Sequence, residues 1–347
     1  MGCKCCRSDD PAEMSLHPTR KNSGSAVQSE TTVAFSSSPV QDAIAVQSAV
    51  RCYLASKLAR KALSTMIVLI PSTERDAIEH QTKTPLRLIP DILTEAAKVK
   101  LAQLPAFEYP SRVVGGDYAG PVVLSDGSVY DGQWREGKRL GKGRYFTSSG
   151  GLLQGIWNNG LHIYGRVVYP NGDHYEGEYI HMRRHGSGTF QSLYSTTEYK
   201  GTWKHDKKHG FGCEKLADGC QYEGYFEEDL RHGEGQLIKA NGDVYIGGFK
   251  QGKQSGYGKW TRQDGKIYEG QWEEGVMHGE GTLTSKDKVY TGQFVQGKKE
   301  GKGVLTWGDF RYQGDFAGNK MHGKGEISLQ GAAPLPCAFV RNKQVAI

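Results

Sequence analysis

The chain has 347 residues and a formal net charge of +6, from 44 Lys and Arg against 38 Asp and Glu. Its 47 glycines are about twice the usual share, yet 12 prolines are too few for collagen and a 37% hydrophobic content excludes a large aliphatic core. The longest aliphatic run, residues 66–70, is far short of the roughly 20 residues of a membrane-spanning helix, and the evenly spread charge excludes a nucleic-acid-binding stripe.

The N-terminus lacks the apolar stretch of a secretory signal, so the chain is expected on the cytosolic side of the cell. It opens Met1-Gly2-Cys3-Lys4-Cys5-Cys6-Arg7-Ser8. With Met1 removed, Gly2 offers the amine that N-myristoylation uses, although Cys6 stands where that pattern has Ser or Thr. Cys3, Cys5 and Cys6 are thiols placed for palmitoylation. One myristoyl chain binds membranes only reversibly, and a second acyl chain makes the attachment stable. Residues 1–7 resemble the dual-acylation leaders of Src-type kinases and of protist cortical proteins, which implies a lipid anchor on the cytoplasmic face of a membrane. The alternative is a plain tail. Residues 8–37 are rich in Ser, Thr and Gly and read as a flexible tether.

Residues 38–70 are predicted to form a helix. Ser38 serves as N-cap, Pro39 takes the first helical position, and Gln41 completes a capping box. Val46, Val50, Tyr53, Leu54 and Leu58 fall on one face. Between residues 43 and 73 lie Arg51, Lys57, Arg60 and Lys61 and no acidic residue. The run from Val46 and Gln47 through Arg51 to Lys57 is similar to an IQ motif, with Val46 for the leading Ile, Cys52 for Gly and Ser56 for the final Arg. That resemblance implies calmodulin or another EF-hand protein as partner, since an apolar stripe with basic flanks suits an acidic, Met-rich groove. Packing on the repeats and lying on a membrane are the alternatives. Residues 71–117 read as a linker with a second helix near 90–104, its apolar side Ile92, Leu93, Ala96, Val99 and Leu101, capping the repeats that follow.

From residue 118 to 331 the sequence repeats. Tyr-x-Gly begins at Tyr130, Tyr175, Tyr199, Tyr222, Tyr245, Tyr268, Tyr290 and Tyr312, with Leu153 in a ninth copy. Four residues on comes a ring (Trp134, Trp157, Tyr179, Trp203, Phe226, Phe249, Trp272, Phe294, Phe316), and eleven and thirteen residues on, in eight copies, Gly-x-Gly. Alternation along a strand puts Tyr, Gly and ring on one face, with the glycine leaving space for a ring of the neighbouring unit. Asp126-Gly127, Asn171-Gly172, Asp218-Gly219, Asn241-Gly242 and Asp264-Gly265 favour two-residue hairpin turns with positive φ at both positions. Each copy is then one hairpin, and hairpins need neighbours to be stable. The expected fold is mainly β: an elongated single-layer antiparallel solenoid of about nine units, on the order of 85 Å long at about 4.8 Å per strand. In the second copy Tyr164 and Arg166 stand where the glycines belong, which predicts a local irregularity. Residues 332–347 read as a C-terminal cap, closed by residues 337–340.

These residues resemble the MORN repeat (membrane occupation and recognition nexus), and Tyr130 to Gly143, YDGQWREGKRLGKG, fits it at every defined position. The resemblance implies a scaffold for other proteins, a homodimer paired through the repeats, and a setting at a membrane junction, the cell cortex and its cytoskeleton, or a cilium or flagellum. Methyltransferases and lipid kinases that carry such repeats hold a catalytic domain beside them; only 16 residues follow Gly331, so no enzyme, cofactor or nucleic-acid partner is expected. Three GxxxxGK segments (132–138, 247–253, 292–298) lack the Ser or Thr of a phosphate loop. His185, His209, His232, His278 and His322 recur two strands apart, about 9.6 Å, too far to share one metal. Asp131, Glu176, Lys200, Glu223 and Glu269 have mixed sign, as on a solvated face. Lys138, Arg139, Lys207, Lys208, Lys253, Lys298 and Lys299 are candidate contacts to acidic lipid, which gives the alternative function of a phosphoinositide-binding module.

Overall fold

The computed structural model describes residues 92–111 and 113–345. The leader, the tether and the IQ-like helix lie outside the described residues. Within these, one helix, α1 (Glu95–Gln103), precedes a sheet of twenty-one strands. Thr94 caps α1 by accepting a hydrogen bond at Oγ1 from the Ala97 N–H (3.2 Å), and Glu95 lies in the first turn and Lys100 in the last, as the helix dipole favours.

The first strands are β1 (Asp117–Val123), β2 (Val129–Arg135), β3 (Lys138–Phe146), β4 (Leu152–Asn158) and β5 (Leu161–Val168). Every strand pairs antiparallel with the next in sequence, down to Lys343–Val345, so the sheet is a single meander. The mainly β, open, single-layer fold is the one the spacing predicts. The sheet does not stop at residue 331: Leu335–Val340 pairs with Lys320–Leu329, placing Cys337 opposite Gly325 and Phe339 opposite Gly323. The strand Leu335–Val340 opens a degenerate copy, with Cys337 in the glycine position and Phe339 as its ring, 5.3 Å from Tyr312.

The core is a ladder of rings on one face. Each repeat tyrosine is almost wholly buried, and it meets its own ring edge-on and then the ring of the next repeat. Tyr222, for example, lies 5.0 Å from Phe226 and 5.1 Å from Phe249. T-shaped contacts of this kind contribute about 1 kcal/mol each beyond area burial. The phenol of Tyr222 donates to the Tyr225 carbonyl at 2.9 Å, and the same bond to the third residue on recurs from Tyr130 to Tyr312.

The glycines do two different jobs, and neither is the one expected. The ring over the Tyr-x-Gly glycine belongs to the same repeat: a Cβ on Gly132 would stand 2.7 Å from Tyr130 Oη and 2.5 Å from the Gly143 Cα. The second glycine of Gly-x-Gly, Gly143, is opposite Gly132 and covered by that same phenol. The first, Gly141, has φ +83° and sits in a bulge, where the left-handed region requires glycine.

The turns also exchange roles. At Asp126-Gly127 only Gly127 has positive φ (79°); the Gly127 N–H donates to the Leu124 carbonyl, and Asp126 Oδ1 accepts from the Ser128 N–H. This is a three-residue loop, a type I turn closed by a left-handed glycine, with Asp chosen for its side-chain acceptor. The two-residue turns lie inside each copy, as at Glu136-Gly137 (53°, 71°) and Glu228-Asp229 (49°, 71°).

In the first copies other segments cover the sheet. Ile92, Leu93 and Leu101 pack on Val129, Phe146 and Leu152, while Thr94 Oγ1 donates to the Pro170 carbonyl. The helix thus lies along the row of loops beside the sheet rather than over its end strand. Val99, expected on its apolar side, is exposed, and Ala97 is buried instead. Asp131, expected in solvent, is buried, with Tyr118 Oη donating to it at 2.5 Å and Arg144 paired to it. Arg166 is likewise buried, bridging Glu176 (2.8 Å) and the Pro105 carbonyl. The mixed-sign positions of these two copies form covered ion pairs; Glu269, farther on, is exposed.

Candidate functional site

The proposed acyl sites Gly2, Cys3, Cys5 and Cys6 fall outside the described residues. So do the EF-hand contacts Val46, Gln47, Val50, Arg51, Tyr53, Leu54, Lys57, Leu58 and Arg60. The seven candidate lipid contacts are described, and the sheet splits them into two rows. Lys138, Lys207, Lys253 and Lys298, each opening the second strand of its copy, are exposed beside the two-residue turns. Lys207 reaches Glu228 (2.6 Å) and Lys253 reaches Glu274 (2.5 Å), each an ion pair to the next repeat. Arg139, Lys208 and Lys299 instead lie one residue on, across from the repeat rings.

In that second row, cations stack on aromatic faces. Arg139 is 4.6 Å from the Trp157 ring centre, Arg184 is 4.1 Å from Trp203, Arg231 is 5.0 Å from Tyr222, and Lys299 is 4.6 Å from Tyr290. Such contacts contribute about 1 kcal/mol, more when water is excluded. Lys208 and Arg231 both pair with Glu214, a buried carboxylate opposite Tyr199. Arg184 and Arg231 were not singled out from the sequence; the signal was the position nine residues after the start of each repeat, basic in five copies of nine (Arg139, Arg184, Lys208, Arg231, Lys299).

His162 holds this position in the second copy, and there the geometry changes. That copy is one residue shorter, so Gly155 pairs with Gly165 and a single-residue bulge replaces the usual one. Leu153 has no ring to cover the glycines. His162 covers them instead: a Cβ on Gly155 would stand 2.6 Å from its Nε2, and one on Gly165 2.7 Å. Its ring lies 5.0 Å from Trp157 and 4.8 Å from Tyr179, continuing the ladder. Burial, with Arg139 adding repulsion, pushes its pKa down to about 4, so it is neutral at neutral pH. The expected irregularity is therefore a substitution of one ring for another.

Toward the C-terminal end the ring face opens into a groove of about 340 Å³. Met277, Leu283, Tyr290 and Phe294 line it with apolar surface, and Lys266, Lys288, Lys299, Ser285 and Asn319 line it with polar groups. Among the described residues no group of three or more His, Cys, Asp or Glu could hold a metal ion, and no helix is long and apolar enough to cross a membrane. The GxxxxGK segments run through hairpin turns between strands and open no helix.

The repeat units seen in the sheet coincide with nine consecutive matches to the MORN repeat model, at residues 130–152, 154–174, 175–192, 199–221, 222–244, 245–267, 268–288, 290–310 and 312–328, together more than half of the chain. The chain belongs to the MORN-repeat family. It is 30% identical over 104 residues to Alsin of Rattus norvegicus and of Homo sapiens, a match covering 28% of this chain and 6% of Alsin. It is 38% identical over 52 residues to MORN repeat-containing protein 3 of Xenopus laevis, covering 15% of this chain and 22% of that protein. Among solved structures, the TCP domain of Drosophila melanogaster SAS-4 overlaps 53% of this chain and 98% of its own at 13% identity and a TM-score of 0.25. The G-box domain of the microcephaly protein CPAP overlaps 62% and 96% at 7% identity and 0.24. Those scores carry no weight for function. As a MORN-repeat protein, the chain presents a module for contacts with proteins or membranes.

Proposed function

We propose that this MORN-repeat protein is a non-enzymatic scaffold held on the cytoplasmic face of a membrane by acyl chains on Gly2 and on Cys3, Cys5 or Cys6. In this reading the helix carrying Val46, Val50, Arg51, Tyr53, Leu54, Lys57, Leu58 and Arg60 recruits calmodulin or a similar EF-hand protein. The repeats bind further proteins, and two copies pair through them at the cell cortex or in a cilium. The observation that supports a recognition role is the contrast between a constant frame and a varied face. Tyrosine, glycine and ring recur, while the residue between glycine and ring changes from Thr202 to Tyr225, Gln271, Gln293 and Asp315 on the opposite side of the sheet. Only the second kind of position is free to encode partners.

Cells expressing the full chain with Gly2→Ala, or with Cys3, Cys5 and Cys6 all changed to Ser, test the anchor. Both variants move from the membrane pellet to the soluble fraction if it is right; if both stay in the pellet, it is wrong. Capture of the full chain on immobilised calmodulin, and its loss on Val50→Asp with Arg51→Glu, tests the helix. Undiminished capture would rule it out. The rival role for the whole set of seven basic residues, contact with acidic lipid, gains little support, because Lys207, Lys208 and Lys253 already have carboxylate partners.

A further inference from the structure

In the first two copies the face opposite the ring ladder is covered by an extended stretch of the chain's own, Pro105-Ala106-Phe107-Glu108-Tyr109-Pro110. Phe107 lies 6.5 Å from the Tyr164 ring, Lys142 Nζ stands 5.5 Å from the Tyr109 ring centre, and Arg166 donates to the Pro105 carbonyl at 2.7 Å. Lys142 and Tyr164 hold the same place in their copies. Each directly precedes the glycine that pairs with the first-strand glycine, Gly143 with Gly132 and Gly165 with Gly155. The stretch therefore runs across the strands and sets one ring on each copy at that place.

The fourth, fifth and sixth copies carry Phe211, Glu234 and Tyr257 there, and on them the same face is open. Tyr225, edge-on to Phe211 at 5.6 Å, is 51% exposed, and Tyr257 is 62% exposed. Glu234 stands between them, itself exposed, with no hydrogen bond or ion pair among the described residues. Gly248, across from it, offers no side chain. Glu223 and Glu227 flank Tyr225 on its strand, the latter 3.2 Å from His232, while Lys259, two residues along from Tyr257, is already paired with Glu269 at 3.4 Å. An acid set between exposed rings, with the nearby lysine neutralised, complements a cation set between apolar groups. The spacing selects the backbone. Equivalent places in successive copies are two strands, about 9.6 Å, apart, and a polyproline II segment completes one turn of three residues in about 9.3 Å.

We propose that the face across Phe211, Tyr225, Glu234 and Tyr257 holds an extended segment of a partner protein that lies across the strands as residues 105–110 do. Its Lys or Arg meets Glu234, and apolar side chains three residues to either side meet Tyr225 with Phe211 and Tyr257. This rests on the scaffold reading above and gives that partner its chemistry. Prolines between the three contacts hold the segment in the bound form and lower the entropy lost on docking.

Fluorescence anisotropy on the purified full chain tests this with one nine-residue peptide, proline throughout except for Leu at its second and eighth places and Arg at its fifth. Binding weakened at least about tenfold by Tyr225→Ala with Tyr257→Ala, and about fivefold by Glu234→Gln, supports the site; exposed side chains of this kind can be removed without loss of the fold. Glu234→Lys should bind the peptide with Glu in place of Arg better than the original, a reversal that a folding defect does not produce. No binding up to about 1 mM, binding indifferent to these variants, or equal binding of a peptide with Arg moved one place along overturns the proposal. A dimer that the two tyrosine changes dissociate in sedimentation, with no peptide bound, overturns it too and assigns the face to a second copy. The fractionation and calmodulin tests above do not involve this face, so the anchor and the helix stand or fall apart from it.

Discussion

The second repeat and the seventh carry the same ring ladder by different means. In the seventh, Tyr268 on the first strand lies over Gly270 and Gly281, edge-on to Trp272 at 5.3 Å and Phe294 at 5.0 Å. In the second, the first strand offers Leu153, and His162 on the other strand lies over Gly155 and Gly165. What the fold demands is an aromatic plate over bare backbone, not a tyrosine at a fixed position. The substitution differs in chemistry. Tyr268 Oη donates to the Gln271 carbonyl at 2.8 Å, whereas neither ring nitrogen of His162 has a hydrogen-bond partner among the described residues.

The largest effect that sharpens this contrast is removal of the plate where it is regular. Tyr268→Ala should cost about 4 kcal/mol, in the range for emptying a buried aromatic site, and denaturant unfolding measures it. Leu153→Ala removes no plate and should cost roughly half as much; equal costs would break the comparison. Next comes filling the space from below. A Cβ on Gly281 would stand 2.5 Å from Tyr268 Oη, so Gly281→Val should lose about 3 kcal/mol. At Gly256, with φ +77° and no atom within 4 Å of an added Cβ, Ala should lose only about 1 kcal/mol, from backbone strain alone.

An intermediate effect depends on pH. The folded pKa of His162 lies at about 4 against an ordinary 6.5, so the unfolded chain binds the proton more readily. Its contribution to stability is complete above pH 6.5 and is lost as pH falls toward 4. By pH 5 the loss is about 2 kcal/mol. Thermal melts of the chain and of His162→Phe at pH 7 and pH 5 should diverge by that amount, and parallel acid profiles would mean that the imidazole is not enclosed. The smallest effect is at the surface. Lys253→Gln breaks an ion pair with Glu274 in which both side chains are more than half exposed, and the change in stability should stay below about 1 kcal/mol.

The period, the shared face of tyrosine, glycine and ring, and the open sheet were legible because strand alternation turns spacing directly into geometry. Which ring fills which glycine was not legible. Spacing gives a face but not the direction a side chain leans, and Tyr130 leans back over its own Gly132 rather than across to a neighbour. The turn types were misassigned because Asp-Gly and Asn-Gly satisfy two loops. In this sheet the side-chain acceptor of Asp126 selects the three-residue loop, leaving the two-residue turns to pairs such as Glu228-Asp229. The strand Leu335–Val340 stayed hidden because Leu335 and Cys337 replace tyrosine and glycine, and only Phe339 keeps the pattern. The groove at Lys266, Lys288 and Lys299 draws on three strands or loops, and no periodic position contains all three.

A reciprocal exchange tests the plate requirement most directly. Leu153→Tyr alone puts two rings over one pair of glycines, and His162→Arg alone leaves that pair bare while burying a charge. Together they install the tyrosine and the arginine that the neighbouring repeats carry at Tyr130 and Arg139 and at Tyr175 and Arg184. The double variant should be more stable than either single one, with a coupling on the order of 2 kcal/mol. Strictly additive losses would contradict the claim that His162 and the repeat tyrosines fill the same place.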